Sequence, residues 1–252
     1  MTDPQTAAAL AADRLALVGE STRHLLHTVS ELKPEAVAEP SALPGWTRGH
    51  VLAHLARNAD SLVNLLNGAR TGTDIPQYAS NEARDQEIED GAPRPVDVQL
   101  ADLEASDRRF AEAAALLPGE AWSADVRHRT GYVFPACDIP WKRLAEVEYH
   151  HVDLDAGYTP AHWPEAFAVA EFRRIAARLA DAALPAVELV ADDTEDRGAI
   201  GSGGPGLVVE GPVRALLAWL SGRSDGDGLQ VHRGGVQLAD GRAALPPLPP
   251  LG

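Results

Sequence analysis

The feature that most constrains the fold is a helical apolar pattern that occurs four times in the first 155 residues. In each stretch, apolar side chains recur about every 3.6 residues, which predicts an amphipathic helix with one face to bury. The stretches cover residues 6–32, 48–68, 96–117 and 139–155. Thr47 and Asp138 directly precede the second and fourth stretches and are expected to cap those helices. Four such helices can bury their apolar faces against one another, so the sequence predicts a four-helix bundle.

A long connection separates the second and third of these helices. Residues 71–95 are rich in glycine, proline and acidic side chains, a composition typical of loops, although residues 81–89 could form a short helix. Long connections often carry binding or catalytic residues. The polar side chains of this segment are therefore candidates for a functional site.

The pattern changes after residue 160. Further helices are predicted over residues 164–183 and 212–221. Short β-rich runs lie around them, at residues 186–190, 207–209 and 229–231. Alternating helices and strands indicate a small α/β or α+β domain. The predicted fold class is α+β, with a four-helix bundle in residues 1–160 and a smaller α/β domain in residues 161–252.

The charge balance limits the partners that this chain can have. Lys and Arg number 22 against 37 Asp and Glu, which gives a formal net charge of −15. Such a surface repels phosphate backbones and anionic lipids, so roles in nucleic-acid or membrane binding are disfavoured. The sequence shows no signal-peptide pattern and no apolar run near the ~18 residues of a membrane span. We expect a cytoplasmic protein, and we infer no obligate protein partner.

Three residues on two predicted helices form a candidate metal site. Cys137 is the single cysteine, so a metal would need imidazole and carboxylate ligands. Glu146 and His150 are four residues apart and share one helix face, while His54 borders the apolar stripe of the second helix. A His₂Glu set leaves a divalent ion at least one open position, as in catalytic zinc sites. The spacing alone also allows, and does not argue against, two hydrogen-bonded histidines at the edge of the core and a solvated glutamate.

Two segments resemble a known family. They are LPGWTRGHVLAHLARN at residues 43–58 and RLAEVEYHHVDL at residues 143–154. Both are similar to signatures of the mycothiol-dependent maleylpyruvate isomerase family, whose N-terminal part is a DinB-like bundle. The resemblance is strong over residues 40–155 and weaker beyond them. It implies that the N-terminal bundle here is DinB-like.

The resemblance also implies roles for individual residues. By analogy, His54, Glu146 and His150 ligate zinc or another divalent metal. Asp153 is a candidate acceptor for a histidine N–H behind the metal, with a solvated acid as the alternative. His50 is expected to be a ligand only if the register is wrong.

Two arginines are further candidates. Arg84 lies in a segment that resembles the one bordering the family's cleft, so the resemblance implies a catalytic and cofactor-binding guanidinium there. A surface arginine is the open alternative. Arg223, in the run of residues 219–223, resembles the family's C-terminal signature and is the candidate for a catalytic arginine from the second domain. Arg214 is its rival.

The resemblance implies an activity as well. That activity is the mycothiol-dependent cis–trans isomerisation of maleylpyruvate to fumarylpyruvate, a step of gentisate-type aromatic catabolism. The implied cofactors are zinc, or another divalent metal, and mycothiol, and the implied substrate is an unsaturated dicarboxylate. Alternatives are a mycothiol S-transferase acting on another electrophile and a non-catalytic metal- or thiol-binding protein. A hydrolase using zinc-bound water would need a general base, for which the sequence offers Glu148 or Asp153.

Overall fold

The computed structural model describes residues 3–249, except for the side chains of residues 204 and 205. Contacts between residues divide the chain into two compact units, Met1–Tyr158 and Thr159–Gly252. The units have the composition that the sequence predicted, a helical bundle followed by a smaller unit of helices and strands. That residues 1–160 and 161–252 fold as independent domains stays a prediction.

The first unit is a four-helix bundle with one short additional helix. Its helices are α1 (Pro4–Ser30), α2 (Arg48–Thr71), α3 (Asn81–Gly91), α4 (Val96–Ala115) and α5 (Ile139–Asp153). Helices α1, α2, α4 and α5 form the bundle, with α2 packing on α4 and α5, and α1 packing on α4 and α5. Their shared core contains buried aliphatic side chains, among them Leu25, Leu52, Leu55, Leu103 and Val147. The short helix α3 lies in the predicted connection and confirms the expectation for residues 81–89.

Two helix ends differ from the sequence-based expectation. Helix α2 continues past Gly68 to Thr71, because Gly72 adopts the left-handed conformation (φ 67°) that ends a helix. Asp138 is itself in helical conformation and makes no capping hydrogen bond with its side chain. Its carboxylate instead accepts a hydrogen bond from Arg14 Nη1 at 2.5 Å, so the predicted cap is wrong.

A small hairpin in the first unit was not predicted. Strands β1 (Asp125–Arg127) and β2 (Val133–Pro135) pair antiparallel between α4 and α5. Each strand has three residues, which is too short to show a period-2 apolar pattern. The turn of this hairpin, residues 128–132, lies in the same unit as the candidate metal ligands.

The second unit joins a five-stranded sheet to two helices. Its elements are α6 (Glu165–Leu179), β3 (Pro185–Ala191), β4 (Arg197–Ile200), β5 (Gly203–Gly211), α7 (Val213–Leu220), β6 (Gln230–Arg233) and β7 (Val236–Gln237). The strand order is β4-β3-β5-β6-β7, and β3 and β5 are parallel while the other neighbours are antiparallel. Helices α6 and α7 pack on each other, and α7 also packs on β3 and β5. The predicted α/β character of this unit is confirmed.

Within residues 3–249, none of the helices has the length and apolar content needed to cross a membrane.

Candidate functional site

Three potential metal ligands from two helices of the bundle meet in the first unit. His54 projects from α2, and Glu146 and His150 project from successive turns of α5. The Nε2 atom of His54 lies 2.9 Å from Glu146 Oε2, and the Nε2 atom of His150 lies 3.3 Å from the same oxygen. One potential ligand atom from each residue lies within 4.8 Å of the other two. The structure therefore brings together the three residues that the sequence singled out.

Burial and hydrogen bonding shift the pKa values of these residues in different directions. Burial lowers the pKa of His54, because its charged form loses hydration. Burial also disfavours charge on Glu146, but hydrogen bonds with His150 and His54 outweigh it and hold the Glu146 pKa well below its usual range. Burial again disfavours charge on His150, yet hydrogen bonds with Asp153 and Glu146 raise its pKa. Glu146 is consequently an anion at neutral pH, facing two imidazole rings.

Asp153 fixes the orientation of one of these rings. Its Oδ2 lies 2.9 Å from His150 Nδ1. An ionised carboxylate only accepts hydrogen bonds, so Nδ1 of His150 donates to Asp153 and Nε2 of His150 donates to Glu146. A metal ion bound at Nε2 would take the place of the second of these protons, while the first stays on Nδ1. Asp153 is 2% exposed, which limits its own movement. A carboxylate behind an imidazole is the usual support for a metal-ligating histidine.

Arg84, from α3, contacts the other histidine. Its Nη2 atom lies 3.2 Å from His54 Nδ1, and its Nη1 atom donates to Asp85 at 2.6 Å. A guanidinium only donates hydrogen bonds, so Nδ1 of His54 accepts here and Nε2 carries the hydrogen. A metal held by Nε2 requires that hydrogen on Nδ1 instead. Arg84 therefore contacts one of the three potential ligands. Its hydrogen bond to His54 Nδ1 must break if His54 Nε2 binds a metal.

A buried arginine that sequence reasoning missed holds the two ligand-bearing helices together. Arg143 on α5 is fully buried, and its Nη1 atom donates to the Leu55 carbonyl at 2.8 Å and to Asn58 Oδ1 at 3.1 Å. Both acceptors are on α2, within four residues of His54. An arginine on the apolar face of a predicted helix was the signal that could have identified this contact.

Lys142 is a second residue that the sequence analysis did not single out. It lies one turn before Glu146 on the same face of α5. Its Nζ atom donates to the Tyr132 hydroxyl at 2.6 Å and lies 4.4 Å from the centre of the Phe134 ring. Both aromatic residues belong to the unpredicted hairpin region, so no local sequence pattern indicated this arrangement. The ammonium group therefore attaches the hairpin region to α5.

The remaining histidines of the two signature segments have structural partners. The Thr47 N–H donates to His50 Nδ1 at 3.1 Å, which closes the first turn of α2. The Nε2 atom of His151 lies 2.8 Å from Thr28 Oγ1, and its ring stacks on Tyr158 with centroids 3.7 Å apart. These contacts account for His50 and His151 without a role as metal ligands.

The two C-terminal arginines belong to the second unit. Arg223 follows α7 and donates from Nη1 to the Ser221 carbonyl at 3.0 Å. Arg214, within α7, donates from Nε to the Trp163 carbonyl at 2.7 Å. The catalytic role of Arg223, with Arg214 as the alternative, stays a prediction.

The donor set of the cluster suits a divalent metal ion. Two imidazole nitrogens and one carboxylate oxygen come from two rigid helices, and Asp153 supports one of the imidazoles. Three protein ligands leave a position for an exogenous ligand, which is the arrangement of catalytic rather than structural zinc sites. Imidazole and carboxylate also suit other divalent ions. Chemically, the arrangement is able to activate a small ligand at that open position.

Comparisons with known proteins identify the family of this chain. A family profile described as the mycothiol maleylpyruvate isomerase N-terminal domain matches residues 18–155. The fold is similar to a crystal structure of the mycothiol-dependent maleylpyruvate isomerase, with a TM-score of 0.80 and 31% sequence identity over 90% of this chain and 94% of that one. It is also similar to a histidine-to-alanine mutant of that isomerase, with a TM-score of 0.79 and the same identity and coverage. The comparison with curated proteins finds no match.

Proposed function

The chain belongs to the mycothiol maleylpyruvate isomerase family, and on that premise we propose that it catalyses the mycothiol-dependent isomerisation of maleylpyruvate to fumarylpyruvate. One observation carries the proposal. It is the cluster of His54, Glu146 and His150, with Nε2 atoms 2.9 and 3.3 Å from one carboxylate oxygen, in a chain of this family. The reaction would place the protein in gentisate-type aromatic catabolism, in the cytoplasm.

The first part of the proposal concerns the metal. His54, Glu146 and His150 would hold zinc or another divalent ion, and Asp153 would keep His150 in the tautomer whose Nε2 binds it. When bound, the metal would favour the thiolate form of mycothiol, the nucleophile whose reversible addition makes the substrate's double bond temporarily single. The ionised state of Glu146 supports this assignment, because a carboxylate already without its proton binds a cation without proton release.

The second part concerns the substrate. Maleylpyruvate carries two carboxylates, and guanidinium groups bind carboxylates with two parallel hydrogen bonds. We assign Arg84 to substrate and cofactor binding, supported by its contact with His54. We assign Arg223 to substrate binding and to stabilising the enolate that forms between the two isomers, supported by the family resemblance of residues 219–223.

The test is an absorbance assay of maleylpyruvate conversion with and without mycothiol, on protein whose metal content is known from elemental analysis. We expect conversion that requires the thiol, by protein carrying about one metal ion. His54→Ala should lose both the metal and the activity. His27→Ala, which removes an exposed histidine at the end of α1, is the matched control and should retain both.

The same assay separates the alternatives. A product that retains the thiol would identify a mycothiol S-transferase instead. If each chain binds one metal ion and one mycothiol but converts no unsaturated dicarboxylate, the protein is a non-catalytic binding protein. A His54→Ala variant that keeps its metal would contradict the ligand assignment itself.

A further inference from the structure

The first unit contains a polar cleft that the assignments above do not use. It has a volume of about 300 Å³ and lies between residues 74–81 and the part of the β1–β2 hairpin at residues 127–131. A volume of this size is at the lower end of pockets that hold small molecules. The polar side chains that line it include Asp74, Tyr78, Asn81, Arg127, His128 and Arg129.

Hydrogen bonds join the two walls of the cleft. The Arg129 N–H donates to Gln77 Oε1 at 2.8 Å, and Arg129 Nη1 donates to Asn81 Oδ1 at 3.2 Å. Arg127 Nε donates to Asp74 Oδ2 at 3.1 Å. Each of these three contacts connects the β1–β2 hairpin to residues 74–81. The cleft is therefore formed before any ligand enters it.

The cleft adjoins the candidate metal ligands through two side chains. Tyr78 lines the cleft, and the guanidinium carbon of Arg84 lies 5.9 Å from the centre of its ring. Arg84 in turn lies 3.2 Å from His54 Nδ1. A molecule that fills the cleft could extend one end past Arg84 towards the cluster.

The lining mixes hydrogen-bond donors and acceptors with little net charge. Arg127 is paired with Asp74. Burial, together with the charges of Lys142 and Arg129, lowers the pKa of His128 to about 4, so this ring is neutral at pH 7. Its Nδ1 atom accepts from the Thr130 N–H at 3.3 Å, which leaves the Nε2–H as a donor. Hydroxyl groups use both kinds of partner, and here Arg129 supplies a donor while Asp74 and Asn81 supply acceptors. The Tyr78 and His128 rings add flat apolar surfaces of the kind that pack against sugar rings.

We propose that this cleft binds the polyhydroxylated, sugar-like body of the thiol cofactor, with the thiol end directed towards His54, Glu146 and His150. The inference rests on the proposed function, because it takes mycothiol, whose thiol is carried on a glucosaminyl-inositol, as the cofactor. Asn81 and Arg129 bind the hydroxyl groups, while the arginines already assigned to the substrate remain available for its carboxylates.

The test combines direct binding with kinetics on the full-length chain. Calorimetry with glucosaminyl-inositol, which lacks the thiol, measures the cleft alone and needs neither metal nor turnover. We expect binding to the natural chain that Asn81→Ala weakens about three- to tenfold, the loss of roughly one hydrogen bond. In the isomerase assay, Asn81→Ala should raise the KM for mycothiol by a similar factor and leave the KM for maleylpyruvate within about twofold.

Asn67→Ala is the matched control. Asn67 also accepts a hydrogen bond from an arginine, Arg70 at 3.3 Å, but it lies on α2 away from the residues that line the cleft. This variant should leave both the binding constant and the KM values unchanged.

Two results would overturn the inference. One is a raised KM for maleylpyruvate with an unchanged KM for mycothiol in Asn81→Ala, which would make the cleft a carboxylate site. The other is an absence of glucosaminyl-inositol binding at millimolar concentration. If the chain binds glucosaminyl-inositol but does not isomerise maleylpyruvate, the cleft assignment holds and the proposed function fails.

Discussion

Asp153 determines which ring nitrogen of His150 faces Glu146, and this gives a prediction for a single substitution. The carboxylate accepts from His150 Nδ1 at 2.9 Å. In Asp153→Asn the amide oxygen could still accept, but without its negative charge it orients and polarises the ring less. We expect zinc affinity to fall about 10- to 100-fold, measured by competition with a chromogenic chelator.

The control for this prediction is Glu148→Gln. Glu148 is a buried carboxylate on the same helix, but its partners are Ser21 and the Tyr158 hydroxyl. Zinc affinity should be close to that of the natural chain in this variant. Equal affinities in Asp153→Asn and Glu148→Gln would contradict the role assigned to Asp153.

His128 gives a prediction for pH dependence. Its pKa is about 4 in the folded chain, mainly because of burial, against an ordinary value of 6.5. Below pH 6.5 the unfolded chain therefore binds a proton that the folded chain does not bind until the pH nears 4. Stability falls over this range, since the proton favours the unfolded state.

Replacing this histidine should remove that part of the acid sensitivity. Between pH 7 and pH 5 the free energy of unfolding should fall less in His128→Gln than in the natural chain. Urea denaturation at both pH values measures this change. The ring's own titration can be followed by NMR. A midpoint near 6.5 would refute the prediction.

At the scale of single residues, helical spacing predicted that Glu146 and His150 share one face of α5, while the family resemblance implied that His54 joins them. The same periodicity placed Asp153 one turn beyond His150. Arg143 was missed because its partners, the Leu55 carbonyl and the Asn58 side chain, are on a helix about 85 residues away in sequence. Only the packing of α5 on α2 brings these groups together.

At the scale of elements, the approach of α2 to the end of α3 depends on glycine. A Cβ atom on Gly49 would lie 2.1 Å from the Ala92 carbonyl oxygen, which is far inside van der Waals contact. We expect Gly49→Ala to reduce the free energy of unfolding by about 1–3 kcal/mol through overpacking. Denaturant unfolding of the variant measures this change.

Gly19 provides the opposite case within α1. A Cβ atom there would meet nothing within 4 Å, and the residue is exposed. Gly19→Ala should raise the free energy of unfolding by about 1 kcal/mol, because alanine has the higher helix propensity. If Gly49→Ala and Gly19→Ala changed the free energy of unfolding in the same direction, the overpacking proposed at Gly49 would be contradicted.

The long helices could be predicted from sequence, whereas several short strands could not. Helices α1, α4 and α5 begin and end within about two residues of the prediction because each has several turns of periodic apolar residues. Strands β1, β2 and β4 have three or four residues, and β4 contains Gly198, which lowers its strand propensity. Their positions are set by pairing with a neighbouring strand and not by an apolar pattern of their own, and one wall of the cleft described above belongs to such a hairpin.

At the scale of the whole molecule, the groups proposed to bind metal and cofactor all lie in the first unit. His54, Glu146, His150, Arg84 and the cleft belong to Met1–Tyr158, which has its own buried core. Arg223, proposed to act on the substrate, belongs to Thr159–Gly252. Metal binding and turnover should therefore be separable by removing the second unit.

A chain of residues 1–160 tests this separation. We expect it to unfold in one cooperative transition by circular dichroism, because the bundle core is complete without the second unit. Elemental analysis should find about one zinc per chain, as in the full-length protein. Isomerisation should be lost, and full-length Arg223→Ala should show the same loss while it keeps its zinc. An unfolded fragment would refute independent domains, and a fragment with full activity would refute the role of Arg223, since catalysis would then need only residues of the bundle.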